Sequence, residues 1–224
     1  MPEKFTRMTP ELYDYLIAHR SERDPVQAAL IAETAQLGGV SIMQIAPEQG
    51  AFMTLLARAV GARRIIEVGT FTGYSALCLA RGLPADGTLL CCDVNAEWTT
   101  IARRHWQAAG VADRIELRLG LALETLRSLP RDPVVDLSFI DADKESYRAY
   151  YEEILPRTRP NGLVLFDNVV WFGRVLERDS HDPDVRAIRD LNDFLAADPR
   201  VEAVMLPIAD GLTICRKRAA ASGC

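Results

Sequence analysis

Two acidic segments carry residue types that could do chemistry: Phe139-Ile140-Asp141-Ala142-Asp143-Lys144 and Leu165-Phe166-Asp167-Asn168. Each closes an apolar run of strand character, at 134–140 and 162–166, and a helical stretch lies between them. Neighbouring strands of an open parallel sheet release their last residues at one carboxyl edge, where ligands bind in such folds. Asp141, Asp167 and Asn168 would converge there, with Lys144 beside them. Two carboxylates and an amide oxygen suit a hard divalent cation, Mg2+ first, with Mn2+ or Ca2+ as the other candidates. These segments predict a metal-using enzyme.

A glycine loop stands upstream, in Ile65-Ile66-Glu67-Val68-Gly69-Thr70-Phe71-Thr72-Gly73-Tyr74-Ser75. It reads as a buried strand, a turn and a helix start. Gly69 frees the backbone to turn close to a ligand, and Gly73 and Ser75 fall at the helix N-terminus. The spacing is G-x-x-x-G, not the G-x-G-x-x-G of dinucleotide sites, which counts against a nicotinamide cofactor. A helix N-terminus receives a carboxylate equally well, and S-adenosylmethionine carries one. Asp93 closes the next strand, where an acid can accept both hydroxyls of a ribose. The competing reading makes Asp93 the cap of the helix from Ala96, and Glu67 a satisfied polar residue at a strand end. Gly120-Leu121-Ala122 follows the third strand, where a backbone turn could flank an adenine ring.

The elements that must position these residues are legible as alternation. Strands are expected at 65–69, 88–94, 114–120, 134–141 and 162–169, with helices near 74–81, 96–109, 122–129, 146–155 and 185–197. That pattern implies a parallel sheet with helices on both faces. Segments 203–207 and 212–217, joined at Asp210-Gly211, read as a terminal antiparallel hairpin. The first sixty residues read as helices, started at Thr9-Pro10, Asp24-Pro25 and Ala46-Pro47. The second is expected to run to Gly38-Gly39, and the third to show an apolar face of Phe52, Leu55, Leu56 and Ala59. One domain over 1–224 is expected, with a helical arm (1–60) and a Rossmann-like core (61–218).

Composition narrows the partners. Arginine and lysine number 26 against 31 acids, a net charge of −5, so no basic stripe is available for nucleic acid. The five cysteines are scattered without disulfide or zinc spacing, and Cys91 and Cys92 read as small core residues. No secretory core and no run near ~20 apolar residues is present, so no membrane partner and a cytoplasmic location are expected. His19, His105 and His181 read as surface or helix-face residues.

With these residues in hand, the chain resembles the cation-dependent small-molecule O-methyltransferases. This group contains catechol and caffeoyl-CoA O-methyltransferases, and the match is closer to the latter and their bacterial relatives. The segments that carry it are Met43-Gln44-Ile45-Ala46-Pro47-Glu48-Gln49-Gly50, the loop from Glu67 to Ser75, Asp141-Ala142-Asp143-Lys144, and Asp167-Asn168-Val169-Val170-Trp171. The resemblance implies a mostly parallel seven-stranded sheet and S-adenosylmethionine contacts from Met43, Glu67, Gly69, Thr70, Ser75, Asp93, Ala122 and Asp143. It also implies metal ligation by Asp141, Asp167 and Asn168, a catalytic role for Lys144, and a homodimer. After Trp171 the plant caffeoyl-CoA enzymes have an asparagine that helps hold the phenylpropanoid. This chain has Phe172, which favours a different or broader catechol-type acceptor.

Methyl transfer from a sulfonium needs a deprotonated oxygen nucleophile in line with the methyl. A cation held by the Asp-Asp-Asn set would chelate both vicinal oxygens, with Lys144 as general base. Trp171 would wall one face of the acceptor or else belong to the core or a dimer interface. Segment 172–183 reads as a mobile lid. The alternatives are a cofactor-binding protein without turnover and a nicotinamide-dependent oxidoreductase.

Overall fold

The computed structural model describes residues 6–20 and 24–219, so Cys224 lies outside the described residues. Its elements run α1 (Pro10–Ala18), α2 (Pro25–Ala35), α3 (Pro47–Ala59), β1 (Arg64–Val68), α4 (Tyr74–Gly82), β2 (Thr88–Asp93) and α5 (Ala96–Ala108). Then follow β3 (Ile115–Leu119), α6 (Ala122–Ser128), β4 (Val135–Ile140), α7 (Tyr147–Arg157), β5 (Thr158–Phe166), α8 (Pro183–Ala197), β6 (Val201–Leu206) and β7 (Leu212–Lys217). One sheet of seven strands results, ordered β3-β2-β1-β4-β5-β7-β6. Strands β1 to β5 pair in parallel, and β7 runs antiparallel to both β5 and β6. The strand order reverses at β1, between β2 and β4, which opens the crevice where such sheets take ligands.

Helices cover both faces of the sheet. One core gathers Leu77, Leu79, Leu89 and Phe139, and the other Val68, Ile140, Tyr151 and Phe166. Strand β4 is buried along its whole length, as expected between two helical layers. Cys91 and Cys92 sit in these cores. His105 lies on the face of α5, partly buried, its Nε2 2.8 Å from Glu33 Oε2 of α2.

Thr9 caps α1 and Asp24 caps α2, each accepting a backbone N–H of the first turn. Helix α2 stops at Ala35, short of the glycine pair, and Gly38–Met43 forms a 3-10 turn instead. The apolar face expected on α3 is half right: Phe52 and Leu56 pack against the core. Leu55 and Ala59 are exposed, and Gly50, Met53, Thr54 and Ala57 are the buried side. Small residues decide this, because they let α3 and α4 touch backbone to backbone. A Cβ on Gly50 would stand 2.7 Å from Cys78 Sγ, and one on Gly82 would stand 2.6 Å from Ala57 Cβ.

Other boundaries shift for local reasons. Helix α7 runs through Pro156, and β5 follows at once, where Thr158 Oγ1 donates to Ile154 O at 3.0 Å. Helix α8 begins at Pro183, because Asp182 accepts from Asp184 N at 2.9 Å as its cap. Among the described residues, no helix is long and apolar enough to cross a membrane.

Candidate active site

The carboxyl ends of β1, β2, β4 and β5 bring the sequence-marked residues to one edge. Gly69 leaves β1 with φ +86°, and a Cβ there would fall 1.8 Å from the carbonyl oxygen of Asp141. The glycine is therefore needed where the ends of β1 and β4 touch, ahead of any ligand. Gly73, at φ +83°, caps α4, and Trp106 Nε1 donates to its carbonyl at 3.0 Å.

Asp93 holds the glycine loop. Its Oδ2 accepts from Thr70 N and Phe71 N, both at 2.8 Å, and its Oδ1 accepts from Asn95 N at 2.7 Å. Asn95 is the cap of α5, accepting from Trp98 N at 2.9 Å, so the capping reading of Asp93 is overturned. Glu67 is fully buried. Its Oε2 accepts from Thr70 Oγ1 at 3.1 Å and Cys91 Sγ at 3.3 Å, and Oε1 is buried with no partner. Burial pushes its carboxyl up to about 7. Thr70 and Ser75 are buried beside it, Ala122 opens α6, and Met43 is exposed at the end of the 3-10 turn. Asp143 is exposed and accepts from Tyr150 Oη at 2.5 Å.

Asp141, Asn168 and Lys144 meet. The buried Lys144 ammonium donates to Asp141 Oδ1 at 3.0 Å, to Asn168 Oδ1 at 2.8 Å and to Tyr147 Oη at 2.6 Å. It is no surface lysine. Asp167 is buried next to them, its Oδ1 accepting from Asn168 N at 2.8 Å. Burial, helped by the charge of Asp141, pushes the Asp167 carboxyl up to about 8. Asn168 takes φ +54°, a conformation asparagine tolerates better than most side chains.

Three residues that the sequence did not single out for this site complete it. Tyr147 is buried, its phenol pushed up by burial and by the charges of Asp141 and Asp167, and its hydroxyl reaches Asp167 O at 3.3 Å. Its signal was its place three positions after Lys144, one turn along. Asp210, in the hairpin turn, accepts from Phe172 N at 2.6 Å through Oδ1, and its Oδ2 is buried without a partner. Gln49, in the first turn of α3, faces Asp167 with both amide atoms buried and without a good hydrogen bond.

This is an oxygen-rich site at the carboxyl edge of the sheet, with a lysine among its carboxylates. Among the described residues, no three of His, Cys, Asp and Glu gather as a metal cluster. The third oxygen here is the amide of Asn168, and two carboxylates plus an amide fit a hard divalent ion.

A strap borders the site. Trp171–Leu176 is a short 3-10 turn, and Trp171 and Phe172 both carry positive φ, +47° and +53°. Trp171 is half-buried, its ring centroid 5.5 Å from Lys144 Nζ, and Phe172 is 68 % exposed. The hairpin turn fixes the strap's start, with Val169 N donating to Gly211 O at 3.2 Å and Val170 N to Asp210 O at 3.1 Å.

Known proteins resemble this chain in sequence and fold over nearly its whole length. The sequence is 38% identical over 210 residues to a probable caffeoyl-CoA O-methyltransferase of Dictyostelium discoideum, covering 92% of this chain and 91% of that one. It is 37% identical to the catechol O-methyltransferase domain-containing protein 1 of Mus musculus, covering 92% and 79%. The O-methyltransferase TomG of Streptomyces achromogenes, solved in complex with SAM, superposes with a TM-score of 0.86 at 30% identity, covering 93% and 96%. The family model described as O-methyltransferase matches residues 18–218, and the chain belongs to that family, as an S-adenosylmethionine-dependent O-methyltransferase of the caffeoyl-CoA and catechol type.

Proposed function

We propose that this enzyme transfers the methyl group of S-adenosylmethionine to a hydroxyl of a vicinal dihydroxy aromatic, with a divalent cation, Mg2+ first, held by Asp141, Asp167 and Asn168. One observation carries the reading: Asp141 Oδ1 and Asn168 Oδ1 converge on a single cationic point, the Lys144 ammonium, beside the buried carboxyl of Asp167. When bound, the cation would acidify the attacking hydroxyl and fix the orientation of both oxygens.

The chain's own residues supply the remaining steps. Lys144 Nζ takes the hydroxyl proton, and Tyr147 Oη, 2.6 Å away, positions that nitrogen. The phenolate oxygen then forms its bond to the methyl carbon as the carbon–sulfur bond breaks, and S-adenosylhomocysteine leaves. Trp171 and Phe172 wall the acceptor and keep water from the sulfonium.

Met43, Glu67, Gly69, Thr70, Ser75, Asp93, Ala122 and Asp143 would line the cofactor. Three backbone N–H groups already occupy Asp93, of about four lone-pair sites a carboxylate offers. The ribose hydroxyls would share its oxygens with these N–H groups. A homodimer belongs to the same proposal, since Leu16, Ile42 and Leu55 of the N-terminal region are exposed apolar side chains. So does a reducing cytoplasm, where the free cysteines Cys78, Cys91, Cys92 and Cys215 would stay reduced.

The test is S-adenosylhomocysteine release from a panel of catechols, with Mg2+ and then with EDTA. Release that needs both a catechol and metal supports the reading. Release indifferent to EDTA removes the metal and leaves the methyl transfer.

A further inference from the structure

We infer that the acceptor is an uncharged or cationic catechol, and that the strap of residues 171–184 discriminates against polyanionic acceptors such as coenzyme A thioesters. This inference rests on the methyl transfer to catechols proposed above. The strap lies at the acceptor's door, because its first residue, Trp171, places its ring 5.5 Å from Lys144 Nζ.

The strap's charge is the decisive feature. It contains four carboxylates (Glu177, Asp179, Asp182, Asp184) against two arginines, Arg174 and Arg178. Phosphates are recognised by guanidinium forks with free N–H donors. Arg174 is already paired with Asp182, at 2.8 Å through Nη1, and with Glu177, at 3.4 Å through Nε. Arg178 is exposed and directly precedes Asp179, so the strap offers no free basic cluster. What it does present is apolar: Phe172 is 68 % exposed and Leu176 is 83 % exposed.

The strap is also held against α8. Arg189 Nη1 donates to the carbonyls of Glu177 at 3.3 Å and Arg178 at 3.1 Å, and Asn192 Nδ2 donates to Val169 O at 2.8 Å. In this conformation the segment expected to act as a lid rests as a turn over α8. Carboxylates at a mouth repel a polyanion during encounter, and salt screens that repulsion beyond about 8 Å at physiological ionic strength.

The experiment compares kcat/KM for three probes that share the same ring chemistry: caffeoyl-CoA, the neutral methyl ester of caffeic acid, and dopamine. At low salt the neutral ester and dopamine are each expected to exceed the thioester by about tenfold or more. High salt should narrow that gap. The double variant Glu177→Gln with Asp182→Asn frees Arg174 while asparagine keeps the α8 cap, and it should raise the thioester-to-ester ratio several-fold. A thioester used as well as the ester overturns the inference, as does a preference that neither salt nor the double variant moves. If none of the three is methylated while S-adenosylmethionine still binds, the catechol reading itself fails and this inference with it.

Discussion

Lys144 Nζ stands 2.8 Å from Asn168 Oδ1, so its ammonium holds the point where the oxygen donors meet. Asp141 Oδ1, at 3.0 Å, shares the same nitrogen. A divalent cation and this ammonium would compete for the same two oxygens. Lys144→Met should therefore separate two roles. Loss of the base should lower kcat by about 10²–10⁴-fold with cofactor affinity retained. Mg2+ affinity, measured by calorimetry, should tighten once the competing charge is gone. An unchanged kcat would remove Lys144 from the chemistry, and a loss of Mg2+ binding would make it a support for the ligands.

Asp167 and Glu67 set a pH dependence in the protein free of metal and cofactor. Their carboxyls are pushed up to about 8 and about 7, from ordinary values of 3.8 and 4.5. Between those limits the folded protein holds protons that the unfolded chain releases. Stability contributed by these groups is present at low pH, falls as pH rises from about 4 to 8, and then levels off. Thermal melts in EDTA should decline from about pH 5 to 8.5. Asp167→Asn should flatten that decline and melt above wild type at the alkaline end, each 1 kcal/mol appearing as about 2–4 °C at this chain length. Excess Mg2+ should restore the wild type and leave the variant unmoved. A melt that rises with pH across this window, in both proteins, would contradict the assignment.

Gly69 and Gly110 give a controlled pair for the glycine loop. Both have positive φ, +86° and +65°, but a Cβ at Gly110 meets nothing within 4 Å, whereas at Gly69 it strikes the carbonyl of Asp141. Gly110→Ala should cost only the backbone strain, about 1 kcal/mol. Gly69→Ala should cost more than twice as much, since neither backbone can yield without moving β1 or β4, and it should weaken both S-adenosylmethionine and Mg2+ binding. Equal melting shifts for the two variants would show that the β1–β4 contact is not what requires glycine.

How far the sequence reached follows from the kind of signal each residue gives. The parallel core was legible because its strands are short apolar or, in β3, alternating runs ended by Gly or Asp, and the same ends carry Glu67, Asp93, Asp141 and Asp167 to one edge. The α3 face was misread at Leu55 and Ala59, because burial there also follows small residues, Gly50 and Ala57 against α4, which a count of large apolar side chains overlooks. The start of α8 was missed although Asp182-Pro183 repeats the signal read correctly at Thr9-Pro10 and Asp24-Pro25. Asp210 was seen only as a turn residue. Its approach to the site depends on the pairing of β7 with β5, a long-range contact that no local pattern announces.

Phe172 is a place where stability and recognition pull apart. A bulky aromatic at φ +53° is strained, and its exposed ring gains little from the protein itself. Asparagine accepts that backbone far more readily. Phe172→Asn should therefore stabilise the fold by about 0.5–1 kcal/mol, read as a melting rise of a few degrees. The same change removes an aromatic surface 6.1 Å, centroid to centroid, from Trp171, where a catechol ring would stack. Losing about 0.5–1.5 kcal/mol of aromatic contact corresponds to a two- to tenfold rise in KM for a neutral catechol. Phe172→Ala removes the ring without easing the backbone, so it should raise KM with no gain in melting temperature. Opposite movement of stability and affinity in the asparagine variant, against loss of affinity alone in the alanine variant, would mark Phe172 as held in strain by its contact with the acceptor. A KM that stays put in both variants would leave the ring without a part in binding.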